Sequence, residues 1–399
     1  MNTQVAKKSS LLIGPAILIS VGYIDPGNWA TNIDGGTNFG FQLLWVLLLS
    51  NIMAILLQIT AAKLGIVTGK SLAENCRTHY KKPIVVFLWA TAEIAALATD
   101  LAEFLGAAIG IKMLTGMPLF YAALVTGVIT FIILMVHKKG FQMLASIIFA
   151  MVMLVAIAYA IELFLAKPNV TNIAKGMFIP HLNSESLLVA IGIIGATVMP
   201  HNIFLHSDIV REHPEKNKKK ALGYAIKNSV LSLNIAWFIN SAMIIVAASV
   251  FFYQGIHVSS IEETYKTLEP TLGSLAGIMF AIALVSAGLS SSVTGTMAGQ
   301  SILEGFLHIS FPIWIRRLIT MLPALIIIGM GIDTLKALVI SQVVLSMQLP
   351  FTILPLLLLT SKKDIMGNYK NKPLMKLALW SIAALIIGLN VFLIGQTLH

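Results

Sequence analysis

The sequence predicts an all-α membrane protein of eleven spans, the first ten arranged as an inverted repeat of five plus five helices with helices 1 and 6 broken at their midpoints. Three observations lead there. Of the 399 residues, 57% are apolar and only 11% charged, against roughly 25% charged in an ordinary soluble domain. Apolar runs of about 20 residues, the length that crosses a hydrocarbon layer roughly 30 Å thick, recur along the whole chain. Two of those runs carry a matching polar interruption at the centre, Asp25-Pro26-Gly27-Asn28 and Met199-Pro200-His201-Asn202.

The runs cover about 11–35, 42–65, 84–111, 118–137, 141–166, 186–210, 226–253, 271–304, 312–331, 334–360 and 374–396. No stretch is long and polar enough for a separate soluble domain. Residues 1–399 are therefore one transmembrane domain, with a first repeat at 11–166, an inverted second repeat at 186–360 and an added helix at 374–396. The net charge of +10 could suggest a nucleic-acid partner, and the positions of the basic residues exclude one. With the N-terminus inside, only Lys112, Lys167, Lys175, Lys266 and Lys336 of the 27 lysines and arginines fall on the outer side, which is the positive-inside rule operating over eleven spans. The C-terminus is then outside. A cleaved signal peptide at the start would leave the interruption at Asp25 without purpose. The lone Cys76 excludes an intramolecular disulfide.

The interruptions need a cause. An acid at the middle of a span costs about 3 kcal/mol even on a lenient insertion scale, and proline removes a backbone donor. Both copies read X-Pro-X-Asn and lie five helices apart. Five is odd, so they face opposite ways across the bilayer, as in an inverted repeat. Two unrelated proline kinks would not need Asp25, Asn28 and His201 beside them. Unwound backbone at membrane depth occurs where it lines a cavity, so the breaks mark a binding site.

The first break offers the Asp25 carboxylate, the Asn28 amide oxygen and freed carbonyls such as that of Gly22. The second adds the Met199 thioether and the Ala196 carbonyl. Sulfur is a poor ligand for calcium or magnesium, whereas manganese, iron, cobalt and cadmium accept it beside oxygen. The set favours transition metals. Most of the 18 methionines are core filler, and Met199 stands apart by preceding the break proline.

The stretches GYIDPGNWAT, ATDLAEFLGAAIG, GATVMPHNIFLHS and SQVVLSMQLPF resemble the NRAMP family of divalent-metal transporters, in its bacterial manganese-transporting branch. The resemblance spans essentially the whole chain. It implies a leucine-transporter-like fold in the bacterial cytoplasmic membrane and proton-coupled uptake of manganese, with iron, cobalt and cadmium also accepted. It implies metal ligands at Asp25, Asn28, Met199 and the Ala196 carbonyl, with the Gly22 carbonyl and Gln342 joining in some conformations. A magnesium-transporting side branch lacks the methionine. Many relatives read TDIAGG where this chain has Thr31-Asn32-Ile33-Asp34-Gly35-Gly36. The acid has moved two positions, about 200° around a helix.

Helix 3 carries Glu93, Asp100 and Glu103 on one face. Three buried acids repel unless protonated, hydrated or matched by cations, and Arg316 and Arg317 at the inner end of helix 9 are the nearest candidates. The resemblance assigns proton transfer to these positions. His201 and His206, on the inner half of helix 6, carry the side chain that ordinarily titrates nearest neutral pH. The expected mechanism starts at Asp25: an arriving divalent ion displaces a proton, which leaves along Asp100, Glu103 and the arginines while helices 1 and 6 swing at their breaks. No catalytic residue, cofactor or obligatory protein partner is expected; the partners are the ion, protons and the bilayer. Ser286, Ser290, Ser291, Ser292 and Thr294 could instead coordinate sodium in a symporter of small organic solutes, but Asp25 would repel a substrate carboxylate and Met199 would have no task. A passive metal channel differs only in coupling. An intramembrane enzyme finds no HExxH and no buried nucleophile set in the sequence.

Overall fold

The first break is set by Asp25 and Pro26. Helix α1 (Pro15–Gly22) stops short of it, and α2 (Pro26–Phe39) begins with proline at its first position, where the missing N–H costs nothing. Asp25 caps the new helix. Its backbone is extended, at φ −67° and ψ 164°, and its Oδ1 accepts from the Asn28 N–H at 2.9 Å. This computed structural model describes residues 15–137, 141–211, 217–256, 258 and 261–397. Lys7, Lys8, Lys138, Lys139 and Lys216 of the charge pattern, and the start of the first apolar run, lie outside the described residues.

The chain continues through α3 (Leu44–Thr68), α4 (Leu72–His79), α5 (Lys82–Thr115), α6 (Leu119–His137), α7 (Phe141–Ala166), α8 (Val170–Phe178), α9 (Ser184–Thr197), α10 (Pro200–Ile209), α11 (Lys218–Val250), α12 (Ile261–Leu272), α13 (Ser274–Leu307), α14 (Ile313–Gly329), α15 (Thr334–Ser361), α16 (Lys363–Met366) and α17 (Pro373–Thr397). There is no strand among the described residues. Among the described residues, eight elements, with α9 and α10 taken as one, are long and apolar enough to cross a membrane. The broken pair α1 and α2, together with α6 and α14, stands at the other three expected positions. Large apolar side chains such as Ile94, Val128, Leu322 and Leu377 are more than half exposed, as lipid-facing residues are.

One boundary moved for a local reason. Helix α11 begins at Lys218, well before the apolar run, because Asn217 caps it by accepting from the Lys219 and Lys220 N–H groups. The short helices α4, α8, α12 and α16 were not expected, since apolar runs reveal spans and not the amphipathic turns between them. Helix α4 is held by a capping box between Ser71 and Glu74.

Both breaks lie at the centre. Helix α2 is enclosed by α5, α9, α11 and α15, and α10 by α1, α3, α13 and α15. The α9–α10 span is 94% buried, whereas α17, resting mainly on α15, is 33% buried. The last helix is the peripheral one. Helix α5 approaches the first break so closely that a Cβ on Gly106 would overlap the Pro26 ring. Replacing Gly106 by Leu is expected to cost about 1–3 kcal/mol through overpacking, read as a lower midpoint in thermal unfolding of the detergent-solubilised protein. Gly223→Ala, where nothing lies within 4 Å of the added Cβ, should leave that midpoint unchanged or slightly raised.

Candidate metal site

A broken helix leaves carbonyls without their usual donors, and each one at the first break has found another. The Ile24 carbonyl accepts from the Trp29 indole at 3.1 Å, and the Tyr23 carbonyl from Asn240 Nδ2 at 2.5 Å. The Gly22 carbonyl faces the Asp25 N–H and the Asn28 amide, both at 3.4 Å.

Asn28 is where the two breaks meet. Its Nδ2 donates to Asp25 Oδ1 at 2.7 Å and to the Ala196 carbonyl at 3.1 Å, with Gly22 O at 3.4 Å. Three oxygens from two broken helices thus converge on one positively polarised nitrogen. Asp25, Asn28 and Ala196 are buried, and Asp25 Oδ2 and Asn28 Oδ1 have no hydrogen-bond partner. Such a ring of acceptors is the chemistry a cation satisfies.

Met199 is fully buried and takes the N-cap position of α10 that Asp25 takes in α2, with Pro200 first in the helix. Its sulfur accepts from Asn202 Nδ2 at 3.4 Å, and the same nitrogen lies 3.4 Å from the Ile19 carbonyl. Asn202 lies across Gly22, where any Cβ would overlap it. Gln342 of α15 lies likewise across Gly27, with Nε2 donating to Ser341 Oγ at 2.9 Å and Oε1 without a partner. Of the six residues expected at the site, Gly22, Asp25, Asn28 and Ala196 are joined by hydrogen bonds through Asn28, Met199 reaches Gly22 by way of Asn202, and Gln342 lies against Gly27, next to Asn28 in the chain.

The helix α5 acids meet the expected arginines. Arg316 Nη2 lies 2.8 Å from Glu93 Oε1, and Arg317 Nη1 lies 3.5 Å from Asp100 Oδ1. Arg317 is fully buried, donates to Ser292 Oγ at 2.5 Å and stands over the Phe104 ring at 5.4 Å. Glu103 lies beside Asp100 across from Gly295, within electrostatic reach of Asp25. The acids thus run from the break toward the arginines.

The histidines separate. His201 Nδ1 pairs with Thr99 Oγ1 at 3.1 Å, next to Asp100. His206 lies apart from the acids. Its Nδ1 pairs with Gln58 Oε1 at 2.8 Å, and Gln58 Nε2 reaches the Tyr23 hydroxyl at 2.7 Å. Asn32, at the departure from the family pattern, is buried and donates to Asn240 Oδ1 at 2.6 Å, so it holds the amide that binds the Tyr23 carbonyl. Asp34 is partly exposed and accepts from Asn38 at 2.6 Å. The two-residue shift put the acid at the rim and an amide in the core.

Sequence reasoning missed Asn202, Gln58, Asn240, Thr99 and Ser292 as partners. For Asn202 the signal was present, because it ends the second X-Pro-X-Asn as Asn28 ends the first. Ser292 stood in the hydroxyl run considered for sodium, not as a partner of Arg317, and Gln58, Asn240 and Thr99 gave no such signal.

The fold and the paired breaks define a polytopic membrane protein built on two discontinuous helices. The family model described as natural resistance-associated macrophage protein-like, or Nramp, matches residues 16–396, and the chain belongs to that family. It is 47% identical over 397 residues to the divalent metal cation transporter MntH of Caldanaerobacter subterraneus subsp. tengcongensis, covering 98% of this chain and 94% of the relative. A crystal structure of the Eremococcus coleocola manganese transporter, in complex with an aromatic bis-isothiourea substituted compound, superposes with a TM-score of 0.87 at 32% identity over 98% of this chain and 87% of that one. The nucleobase-cation-symport-1 family transporter MHP1, at 14% identity and a TM-score of 0.62 over 95% and 91% of the two chains, shares the fold alone.

Proposed function

We propose that this protein imports divalent transition-metal ions, manganese foremost and iron, cobalt and cadmium besides, across the bacterial cytoplasmic membrane in symport with protons. The observation that carries the reading is a set of buried acceptors with no hydrogen-bond donor, Asp25 Oδ2 and Asn28 Oδ1 at the first break and Gln342 Oε1 on the neighbouring α15, together with the buried thioether of Met199 at the second break. Neutral oxygens and one carboxylate suit a hard divalent ion, and the Met199 sulfur tilts the choice from calcium and magnesium toward transition metals. What its relatives are named for, divalent metal cations and manganese, agrees with that donor set.

In this reading Asp25, Asn28, Met199 and the Ala196 carbonyl hold the ion, with the Gly22 carbonyl and Gln342 joining as the helices move. The Asn28 amide turns its oxygen inward when the ion replaces its N–H as the centre of the acceptor ring. A proton and the ion compete for the Asp25 carboxylate, so arrival of one releases the other. Glu103 and Asp100 carry the released proton toward Arg317, and Glu93 with Arg316 continues the route; His201, bonded to Thr99, borders it. His206, paired with Gln58 and through it with the Tyr23 hydroxyl, is the second histidine of the route.

Alternating access follows from the two joints. Residues 11–166 and 186–360 act as inverted repeats, and 374–396 lies outside them. With the N-terminus in the cytoplasm and the C-terminus outside, α1 and α10 flank the inner exit. The inner end of α10 is tied by Ser207 Oγ accepting from the Leu72 N–H at 2.8 Å and by Arg211 2.8 Å from Glu74. Inward opening breaks these ties. The sodium alternative is weakened at Ser292, whose oxygen accepts from the Arg317 guanidinium, a cation that repels a second one at the same oxygen.

Asp25→Ala should abolish manganese uptake by proteoliposomes, and uptake at the normal rate would refute the site. Met199→Ala is expected to weaken cadmium binding more than manganese binding and to leave calcium unaffected in calorimetric titration; equal losses would deny the sulfur any part in selectivity. Asp100→Asn should reduce metal-driven acidification of the vesicle lumen about tenfold or more while manganese affinity stays within about threefold. Intact proton flux would remove Asp100 from the route.

A further inference from the structure

The two interruptions are alike beyond their prolines. In each new helix the proline is first and an asparagine third, Asn28 in α2 and Asn202 in α10. Each asparagine turns its amide back onto the side chain of its own N-cap residue, Asn28 Nδ2 onto Asp25 Oδ1 and Asn202 Nδ2 onto Met199 Sδ. Both side chains are buried, and in both the carbonyl oxygen Oδ1 has no hydrogen-bond partner. Asn202 also lies across Gly22, whose own carbonyl faces Asn28.

Building on the metal-transport reading, we infer that Asn202 is a further ion-binding residue, the counterpart of Asn28 in the second repeat, presenting its amide oxygen to the divalent ion beside Met199. An N–H aimed at the sulfur suits a lone pair. It opposes a cation that uses the same sulfur. A half-turn about the terminal side-chain torsion exchanges Nδ2 and Oδ1 with no change of shape, since the two ends of the amide are nearly the same size. The ion then meets sulfur and oxygen from adjacent turns of one helix. An amide oxygen is a hard donor, so its contribution favours manganese over cadmium. Met199 and Asn202 thereby pull selectivity in opposite directions.

The test is calorimetric titration of the detergent-purified protein with manganese and, separately, with cadmium. Asn202→Val keeps the bulk and removes the oxygen. It should weaken manganese binding about tenfold while cadmium affinity changes by no more than about twofold, the mirror image of Met199→Ala. Asn202→Asp keeps an oxygen in place and adds charge, and should bind manganese at least as tightly as the native protein. Unchanged manganese affinity in Asn202→Val, or equal losses for both ions, would overturn the assignment and leave Asn202 as packing. If Asn202→Val does not fold, weaker manganese binding by a folded Asn202→Asp overturns it equally. Asp25→Ala is titrated in parallel: retained binding there would sink the metal site as a whole, whereas lost binding there with unaltered Asn202→Val sinks only the role of Asn202.

Discussion

Peptide groups that leave a helix inside a bilayer must find their partners within the protein, and the interior of this molecule is built around that requirement. Two helices stop short of Pro26 and Pro200, which begin the next ones, and the released carbonyls of residues 22 to 24 are met by Asn28, Asn240 and Trp29. Those partners come from the new helix and from α11, so the joint is stabilised from both sides. An unmet buried carbonyl would cost about 1–3 kcal/mol. That cost explains why polar residues cluster in otherwise apolar helices at this depth.

Close approach is the second requirement, and it explains the small residues. Gly22 and Gly27 flank Asp25, and each is covered by an amide, Asn202 and Gln342 respectively. Larger residues would push α10 and α15, with Asn202 and Gln342, away from the first break. The result is a site in which short contacts and hydrogen bonds, rather than a rigid shell, hold the donors together.

The charged residues of α5 obey a different balance. Asp100 and Arg317 are both fully buried, where two uncompensated charges would each cost several kcal/mol. Their pairing offsets much of that cost, and Ser292 and the Phe104 ring satisfy further parts of the guanidinium. Glu93 and Arg316 repeat the arrangement at a less buried position. Glu103 is fully buried beside Asp100, within electrostatic reach of Asp25 and of Arg317.

Hydropathy and charge placement by themselves determined the class, the span positions and the breaks, because lipid imposes length, polarity and orientation on each segment separately. They also determined which donors could matter, since Asp25, Asn28 and Met199 flank the break prolines in sequence. The pairing of Glu93 and Asp100 with the two arginines was legible for the same reason: buried acids on one face require nearby cations. What only tertiary structure decided is which isolated polar residue of one helix meets which of another. Asn240 closing the Tyr23 carbonyl, Gln58 joining His206 to Tyr23, and Asn202 lying on Gly22 beside Met199 depend on the separation and rotation of packed helices. Those quantities arise from contacts between segments, and no local property of either segment encodes them.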